Sequence, residues 1–380
     1  MKMNGFLKCY KVKITALAPI HVGSGQKIGK KEYIYMPWKQ NVIVPEIEKM
    51  YADIQKQGQG EAFVSYMMDA GAKAPALSQW LQRHGMKETD YERWKKYKME
   101  AGEAFVRQEA RPKEIVTFIK DAYGMPYVPG SSLKGMIRTA LIARELLHHP
   151  EKYERIRRNI SLASTQRKKR KEYLSEETSR LEQQIFYLLG RDEKKLGSVV
   201  NDILAGIHVG DSDPISVKNL ALCQKIDYTL DGKEKPLPIL RECLIPGTEI
   251  CFDVSIDTSL LGEKRFPYQM KEIIEALNEI QTLSYCYFYS RFHRGSSEKD
   301  IVWLGGGCGF LSKTVVYALF GNEAVPIVDN IFKNTLGRQY ENHKHMKDKG
   351  LKLAPHACKC TRYQGALYDM GMGRIEYEEV

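Results

Sequence analysis

The first part of the chain alternates between apolar and polar side chains with a period of two. Over residues 8–19 the apolar positions share one face: Tyr10, Val12, Ile14 and Ala16. This period predicts a half-buried β-strand, because successive side chains of a strand point to opposite faces. Two short apolar runs, 33–35 and 42–44, lie on either side of a polar stretch and predict a β-hairpin.

Helical periods follow at several places. Leu133, Ile137 and Ala140 recur at the spacing of one helix face, and a second helix is predicted over about 268–290. The pattern also predicts two helical insertions, near 46–121 and 145–197. The second insertion contains five consecutive basic residues at 167–171. We expect this block on a solvent-facing loop of a helical hairpin; a non-specific grip on phosphates is the alternative.

Three aromatic residues within the first insertion are spaced as on one helix face. Tyr91, Trp94 and Tyr97 lie among arginine and lysine residues. Aromatic rings between cations can stack nucleic-acid bases. We favour a core face with the charges pointing outward, because such stripes more often pack inside a protein.

Strands are predicted again at 206–211, 219–229 and 239–256. This order of strands and helices predicts an α+β fold with antiparallel sheets, in an RRM-like (ferredoxin-like) arrangement with helical insertions. At 380 residues the chain exceeds the usual size of one domain. We predict an N-terminal domain over 1–240 and a C-terminal domain over 241–380, which would include a glycine-rich loop.

The composition favours an acidic polymer as the partner. Lys and Arg number 58 against 47 Asp and Glu, a formal charge of +11, which suits nucleic acid first and an acidic membrane second. The eight cysteines are scattered, as expected of buried thiols in a reducing compartment. The sequence contains no run of about 20 apolar residues, and we expect no signal peptide. The sequence therefore predicts a soluble cytoplasmic protein without membrane contact.

Residues 126–138 read Pro-Tyr-Val-Pro-Gly-Ser-Ser-Leu-Lys-Gly-Met-Ile-Arg. The prolines predict an extended approach and Gly130 a tight turn, after which Ser131 or Ser132 can cap the helix. A helix that begins in this way presents free N–H groups and a positive dipole end, which suit an anion. An ordinary capped helix is an equally good interpretation.

A glycine run at 305–309 precedes another short helix. The P-loop pattern fails because Ser312 precedes Lys313, where glycine is required. The dinucleotide pattern fails at Phe310, which takes the place of the last glycine. What remains is a flexible run of backbone N–H groups that can lie against a phosphate backbone or another protein; a close-packed turn is the alternative.

The histidines give weaker signals. His21 ends a strand before a glycine turn, where a base or a phosphate contact can sit, although a lone histidine is more often structural. Several potential metal ligands lie close together near the C-terminus: His343, His345, His356, Cys358 and Cys360. The Cys-x-Cys spacing is not that of common zinc sites. We therefore predict no metal and no cofactor.

Taken together, three elements resemble the RAMP proteins of CRISPR systems. They are Ala18–Gly25 with the following 32–35, then Tyr127–Ala140, and then the glycine run at 305–309. The resemblance extends in order over most of the chain, with little of it in 46–121 and 145–197. It implies RRM-like domains, guide-RNA (crRNA) binding and assembly into an effector ribonucleoprotein of type III-A, which serves antiviral defence. Within that complex it is most similar to the subunit that caps the guide at its 3′ end and takes part in guide maturation.

The resemblance also implies an RNA-binding set. Its members would border the RNA path, contact phosphates or form the glycine-rich loop: His21, Gly23, Ser24, Gly25, Lys27, Ser131, Ser132, Lys134, Arg138, Gly305, Gly306, Gly307, Gly309 and Lys313. Backbone N–H groups and cations bind a phosphate backbone whatever the bases are. The implied partners are the guide RNA and other RAMP subunits, above all the repeated backbone subunit. Target RNA and host nucleases are further candidates.

Catalysis is not expected. The backbone subunits of such complexes cleave target RNA with an aspartate in an early loop, but the only acid in 23–32 is Glu32. Related guide-processing endoribonucleases often use histidine, which makes His21 the one candidate. Our first hypothesis is a non-catalytic RNA-binding subunit. The alternatives are a metal-independent endoribonuclease that processes guide precursors and a basic scaffold that recruits a separate nuclease.

Overall fold

A computed structural model of the chain describes residues 6–71, 73–105, 114–260 and 268–380. Within these ranges the chain forms fourteen strands: β1 Leu7–Ala16, β2 Gly23–Ile28, β3 Ile34–Met36, β4 Asn41–Pro45, β5 Lys95–Glu100, β6 Glu114–Phe118, β7 Ile207–Val209, β8 Leu220–Thr229, β9 Glu234–Leu244, β10 Glu249–Asp257, β11 Ile301–Trp303, β12 Ala357–Tyr363, β13 Ala366–Asp369 and β14 Met372–Glu379.

The same ranges contain twelve α-helices: α1 Ile47–Lys56, α2 Gly60–Met68, α3 Leu77–Arg83, α4 Glu88–Trp94, α5 Gly130–His148, α6 Pro150–Ser164, α7 Ser175–Phe186, α8 Met270–Tyr287, α9 Val316–Phe320, α10 Ala324–Thr335, α11 Arg338–Asn342 and α12 Asp348–Leu351. No helix in these ranges combines the length and the apolar character that crossing a bilayer requires.

Strand β1 lies at the centre of a five-stranded sheet of order β11-β14-β1-β10-β7. It is antiparallel to both neighbours, so that Val12 opposes Phe252 of β10 and Tyr377 of β14. The predicted apolar face is buried throughout. On the other face Lys11 and Lys13 form ion pairs with acidic residues of the flanking strands. The alternation at the start of the chain therefore predicted this strand and its buried face correctly.

The second sheet has nine strands. Its main path runs β2-β6-β9-β8-β5-β4-β3, with β12 paired to β8 and β13 paired to β12. The predicted hairpin is β3–β4, with Ile34 opposite Ile43. The pairs β5–β8 and β6–β9 are parallel, whereas the other pairs in this sheet are antiparallel. Strand β2 lies at the free end of the main path, which leaves one of its edges without a partner strand.

Two long helices cover the apolar face of the five-stranded sheet. Helix α5 packs against α8 and contacts β7, while α8 contacts β11. The residues predicted for the inner face of α5, Leu133, Ile137, Ala140 and Leu141, are buried in the same core as the apolar face of β1. Burial of this stripe stabilises the helix far more than its intrinsic propensity can.

The first predicted insertion is only partly helical. Helices α1 to α4 form a small core of their own with β3 and β4, but β5 and β6 also fall within 46–121. Tyr97 therefore lies on a strand, not on the helix of Tyr91 and Trp94. All three rings are buried, which confirms the core interpretation. Residues 72 and 106–113 of this insertion lie outside the described residues.

The second insertion has the predicted form. Helices α6 and α7 pack against each other as a hairpin, and the connection between them contains the exposed basic block 167–171. Arg and Lys side chains in this connection remain in water because they have no core to cover. The solvent-facing interpretation of the block is confirmed.

The C-terminal strands have no counterpart among the elements predicted from the sequence. Residues 357–379 have no clear apolar period, yet they form β12, β13 and β14. The last four residues of β14 are exposed, and Glu376 forms an ion pair with Lys13 of β1. Pairing with β1 and β11 therefore holds this strand in place, and a partner strand cannot be read from a local pattern.

The predicted α+β class is confirmed. The RRM-like arrangement within it stays a prediction, as does the domain boundary at 240/241. Each of the two sheets combines strands from both sides of that boundary. This arrangement brings the early glycine segment, the helix α5 and the late glycine loop to one side of the molecule.

Candidate nucleic-acid interface

Residues from three distant parts of the sequence line one cleft of about 440 Å³. Strand β2 contributes Gly23, and the loop after β11 contributes Gly305, Gly306 and Lys313. Helix α5 contributes its first two turns through Ser131, Ser132 and Gly135. The three elements that carry the family resemblance are therefore neighbours in space. Six members of the predicted RNA-binding set line this cleft directly.

Strand β2 forms the edge of the cleft. Its pairing with β6 is interrupted between Gly23 and Lys27, and Gly25 adopts a positive φ of 82°. The Ser24 hydroxyl lies 2.6 Å from the Thr117 hydroxyl of β6. Lys27 is exposed and forms an ion pair with Glu114 at 3.0 Å. The irregular edge thus leaves residues 24–26 outside the ladder, where the Gln26 N–H donates to the Ser24 hydroxyl and the Gln26 oxygen accepts from the Thr117 hydroxyl.

The glycine loop requires its glycines for two different reasons. Gly305, Gly307 and Gly309 have φ near +90°, a conformation that side chains disfavour. A Cβ at Gly305 would lie 2.2 Å from the backbone oxygen of His21. The N–H of Gly306 donates to that same oxygen at 2.6 Å. The loop is therefore fixed to the β1–β2 connection through backbone atoms.

His21 lies beneath the floor of the cleft and not on its wall. Its side chain is 4% exposed, and its Nδ1 donates to the backbone oxygen of Glu242 at 2.7 Å. A carbonyl oxygen can only accept, so Nδ1 carries the proton. Burial lowers the pKa of His21 to about 4, and the nearby cations Arg241 and Lys120 act in the same direction. The imidazole is therefore neutral near pH 7.

A buried carboxylate below His21 joins the strands of this region. Glu242 is completely buried. It accepts hydrogen bonds from the Tyr97 hydroxyl at 2.6 Å and the Phe118 N–H at 2.7 Å, and it forms an ion pair with Lys120. Both carboxylate oxygens therefore accept hydrogen bonds from protein donors, and one of them also pairs with a cation. A buried charge is tolerated under these conditions.

The start of α5 differs in detail from the prediction. The helix begins at Gly130 after Pro129, and neither Ser131 nor Ser132 caps it with its side chain. Instead, the Gly130 N–H donates to the Asp211 carboxylate at 2.8 Å. One of the free N–H groups predicted for an anion is therefore satisfied within the protein. The serines occupy the first turn, where they line the cleft.

The two cations of α5 have different surroundings. Arg138 donates to Asp202 at 2.5 and 3.0 Å, also pairs with Glu182, and lies over the Phe186 ring. Lys134 forms no ion pair with the described residues. Burial lowers its pKa despite the opposing effect of Asp202. Both line a hollow of about 370 Å³ that shares Ser131 and Gly135 with the cleft, so Lys134 is the cation of this helix that is free to take a new partner.

Sequence analysis missed two further cations beside the glycine loop. Arg241 of β9 lies under Gly307, where a Cβ would come within 2.9 Å of its guanidinium. No carboxylate of the described residues pairs with it. Lys225 of β8 also has no ion pair there, and burial, together with the nearby Lys359 and Arg241, lowers its pKa. Each follows an apolar run of its strand, 220–223 in β8 and 237–240 in β9, but other polar residues in both strands leave no distinct sequence signal.

Outside the cleft, the described residues contain two groups of potential metal ligands. One comprises His345, Asp348 and His356, and the other Cys358, Cys360 and Asp369. The cleft itself has no carboxylate, imidazole or thiol among the side chains that line it. Its polar groups are backbone N–H groups, hydroxyls and a lysine, which can bind an anion.

Comparison with known proteins shows the family to which the chain belongs. The sequence model of the RAMP superfamily matches residues 13–312. A CRISPR system Cms protein Csm5 from Mycobacterium tuberculosis (strain CDC 1551 / Oshkosh) is 31% identical, and the alignment covers 97% of each chain. The chain belongs to the RAMP superfamily and, within it, to the Csm5 proteins. A Csm5 from Streptococcus thermophilus is 27% identical over 82% of each chain. The resemblance found in the sequence, to a RAMP protein of a type III-A CRISPR system, is confirmed.

Solved structures share the fold of this Csm5-family chain. A chain in the cryo-EM structure of a Csm–crRNA–target RNA ternary complex of a type III-A CRISPR–Cas system matches with a TM-score of 0.60 and 18% identity, over 97% of this chain and 100% of that one. The crystal structure of T. onnurineus Csm5 matches with a TM-score of 0.61 and 18% identity, over 95% and 99%.

The low pKa of His21 makes the stability of the fold depend on pH. Unfolded histidine binds a proton near pH 6.5, whereas folded His21 stays neutral down to about pH 4. The unfolded state therefore gains relative stability as the pH falls through this window. Between neutral pH and pH 5, we expect the wild type to lose about 2 kcal/mol more unfolding free energy than His21→Asn, which keeps an N–H donor. Urea unfolding at a series of pH values measures this difference, and parallel pH profiles would contradict it.

Two glycines of the cleft should respond in opposite ways to alanine. Gly305→Ala meets the His21 oxygen and a strained φ, so we expect a loss of more than about 2 kcal/mol of unfolding free energy. Gly135 lies within α5, and a Cβ there meets nothing within 4 Å. Gly135→Ala should therefore stabilise the protein by about 0.5–1 kcal/mol. If urea unfolding gave the same change in unfolding free energy for both variants, the glycine loop would not be fixed against the His21 backbone as described.

Proposed function

We propose that this chain is a non-catalytic guide-RNA-binding subunit of a type III-A CRISPR effector ribonucleoprotein. In this role it caps the 3′ end of the guide and takes part in guide maturation during antiviral defence. One observation carries the proposal: the three elements that resemble RAMP proteins meet at a single cleft. The names of its relatives support the same complex.

The cleft suits the sugar–phosphate backbone of a single strand. Glycine residues on two of its sides allow a ligand to approach the main chain closely. Lys313 is exposed at the cleft and forms no ion pair with the described residues, and Lys134 lies in the adjoining hollow. Cations and N–H groups of this kind bind phosphates without reading bases. A subunit that must accept guides of every sequence needs this kind of contact.

The predicted RNA-binding residues contribute in different ways under this proposal. Gly23, Gly305 and Gly306 supply main-chain surface, while Lys134 and Lys313 supply charge. Lys27 and Arg138 already have acidic partners, so a phosphate must compete for them. Arg241 and Lys225 would extend the basic path beneath the glycine loop.

The proposal excludes a nuclease role for this chain. Strand cleavage without a metal requires a group that takes a proton from the attacking hydroxyl. The side chains that line the cleft include no carboxylate or imidazole, the groups that most often serve as such a base. His21 is almost completely buried, which argues against its direct contact with a substrate in the cleft.

Assembly with other subunits completes the proposed role. One structural relative lies within a complex with crRNA and target RNA, which supports guide RNA, target RNA and other Csm subunits as partners of this chain. The neighbouring repeated backbone RAMP subunit is the expected contact in the filament. Recruitment of host nucleases for guide maturation would explain how a non-catalytic chain takes part in that step.

Reversing the charges of Lys134 and Lys313 should weaken RNA binding. We expect Lys134→Glu combined with Lys313→Glu to lower the affinity for single-stranded guide RNA equally for two unrelated sequences. The slope of log affinity against log salt should fall by about 1.4, because each phosphate contact on a single strand contributes about 0.7. Fluorescence anisotropy over a salt series measures both quantities.

Lys49→Glu with Lys56→Glu provides the matched control, because both side chains lie on α1 outside the cleft. This pair makes the same change in net charge. If it weakened RNA binding as much as the cleft pair, the effect would come from overall charge and the cleft would not be the binding site. Guide-precursor cleavage by the pure chain that His21→Ala abolishes would overturn the non-catalytic assignment.

The position of the chain on the guide can be tested in the assembled complex. A photo-crosslinking nucleotide at the 3′ end of the guide should label this chain. The same nucleotide at the 5′ end should label other subunits, because a cap occupies one end only. Labelling of this chain from the 5′ end would place it at the wrong end of the guide.

A further inference from the structure

The segment between α10 and β12 brings together two histidines and one aspartate that the cleft does not use. His345 lies in a short 3₁₀ helix over 345–347, Asp348 begins α12, and His356 lies just before β12. Asp348 is completely buried, His345 is 7% exposed and His356 is partly buried. The three residues form one compact cluster between the last helices and the nine-stranded sheet.

Both histidines point the same nitrogen at one carboxylate. The Nδ1 of His345 lies 3.0 Å from one oxygen of Asp348, and the Nδ1 of His356 contacts the other oxygen. One potential ligand atom from each residue lies within 4.8 Å of the other two. Imidazole nitrogen and carboxylate oxygen bind zinc at about 2.0–2.2 Å. Donor atoms this close to one another can therefore contact one ion after small side-chain movements.

An ion at this position would stabilise the segment between α10 and β12. Helices α11 and α12 have only five and four residues, which is too short for stable helices on their own. His345 is held on one side by the Phe332 ring, whose centre is 4.5 Å away. A metal would connect the turn at 345–348 to the residue that precedes β12, and β12 pairs with β8. A crosslink at this point stabilises a segment that has little regular structure.

We propose that His345, Asp348 and His356 bind a zinc ion, with water in the fourth position. Two imidazoles, one carboxylate and a water make up the ligand set of open zinc sites, whereas closed structural sites have four protein ligands. Sequence analysis predicted no metal because it considered the histidines together with Cys358 and Cys360. Asp348 gave no sequence signal, since its role depends on the turn that places it between two imidazoles.

The neighbouring cysteine cluster is a poor site by comparison. Asp369 already accepts from Arg294 at 2.7 Å and from the Gly295 N–H at 2.9 Å. The hydrogen bond with Cys360 and burial hold the pKa of Cys358 well above that of an ordinary thiol. A metal requires the thiolate form, which the surroundings of Cys358 disfavour, and Asp369 is already engaged by Arg294. It provides a matched control a few residues away.

Metal analysis of the full chain tests the proposal. After expression with zinc and removal of any histidine tag, we expect about one zinc per chain by inductively coupled plasma mass spectrometry. Asp348→Asn and His356→Gln should each lower zinc affinity more than about 100-fold, because outer-shell partners alone account for about 10–100-fold. Cys358→Ser should keep the metal. A zinc-supplied wild type without bound zinc, or zinc lost only in Cys358→Ser, would overturn the proposal.

Cobalt substitution keeps the test decisive if a variant fails to fold. Wild-type protein reconstituted with Co²⁺ should show the visible bands of a four-coordinate nitrogen and oxygen site. A thiolate charge-transfer band in the near ultraviolet would assign the ion to Cys358 and Cys360 and overturn the proposal. The measurement requires no RNA, so its outcome is independent of the role proposed for the cleft.

Discussion

The buried carboxylate of Glu242 is the interaction on which the cleft depends. It accepts from Tyr97 of β5 and the Phe118 N–H of β6 and pairs with Lys120, while its own backbone oxygen accepts from His21. The His21 oxygen in turn accepts from Gly306. The carboxylate thus connects β9 to β5 and β6, and the backbone oxygen of the same residue connects them through His21 to the glycine loop. A buried charge is costly unless fully paired, so this connection fixes the elements relative to one another.

Sequence patterns predicted the parts of the fold that a single element determines by itself. The alternation of β1 and the helical stripe of α5 each follow from which side faces the core, and both were correct. Strand β14 was missed because its last residues are exposed and acidic, and it is held by Lys13 and by pairing with β1. The parallel pairs of β5 and β6 were missed for the same reason: a strand's partner is a property of the whole chain.

In the candidate site, too, the features set by local sequence were predicted and the partners that are distant in sequence were not. The sequence singled out its glycines and its α5 lysine, because turn chemistry and charge are local. The sequence did not indicate that Asp202 pairs with Arg138, or that the Asp211 carboxylate accepts a hydrogen bond from the first N–H of α5. Each of these partners is more than sixty residues away. The net charge did not indicate which cations are free to bind an anion. Many cations of this basic chain are already in ion pairs, and only a few near the cleft are not.

Under the proposed function, the glycines would allow the cleft to accept guides of any sequence. Gly305 is required by its contact with the His21 backbone, and Gly307 by the guanidinium of Arg241. The surface they leave is main chain, whose N–H groups are the same at every position. A wall built from side chains would favour particular bases through their edges, whereas a wall of backbone meets only the repeating phosphates. On the proposed function, the close packing that excludes side chains from the glycine loop would therefore also keep this part of the wall from reading sequence.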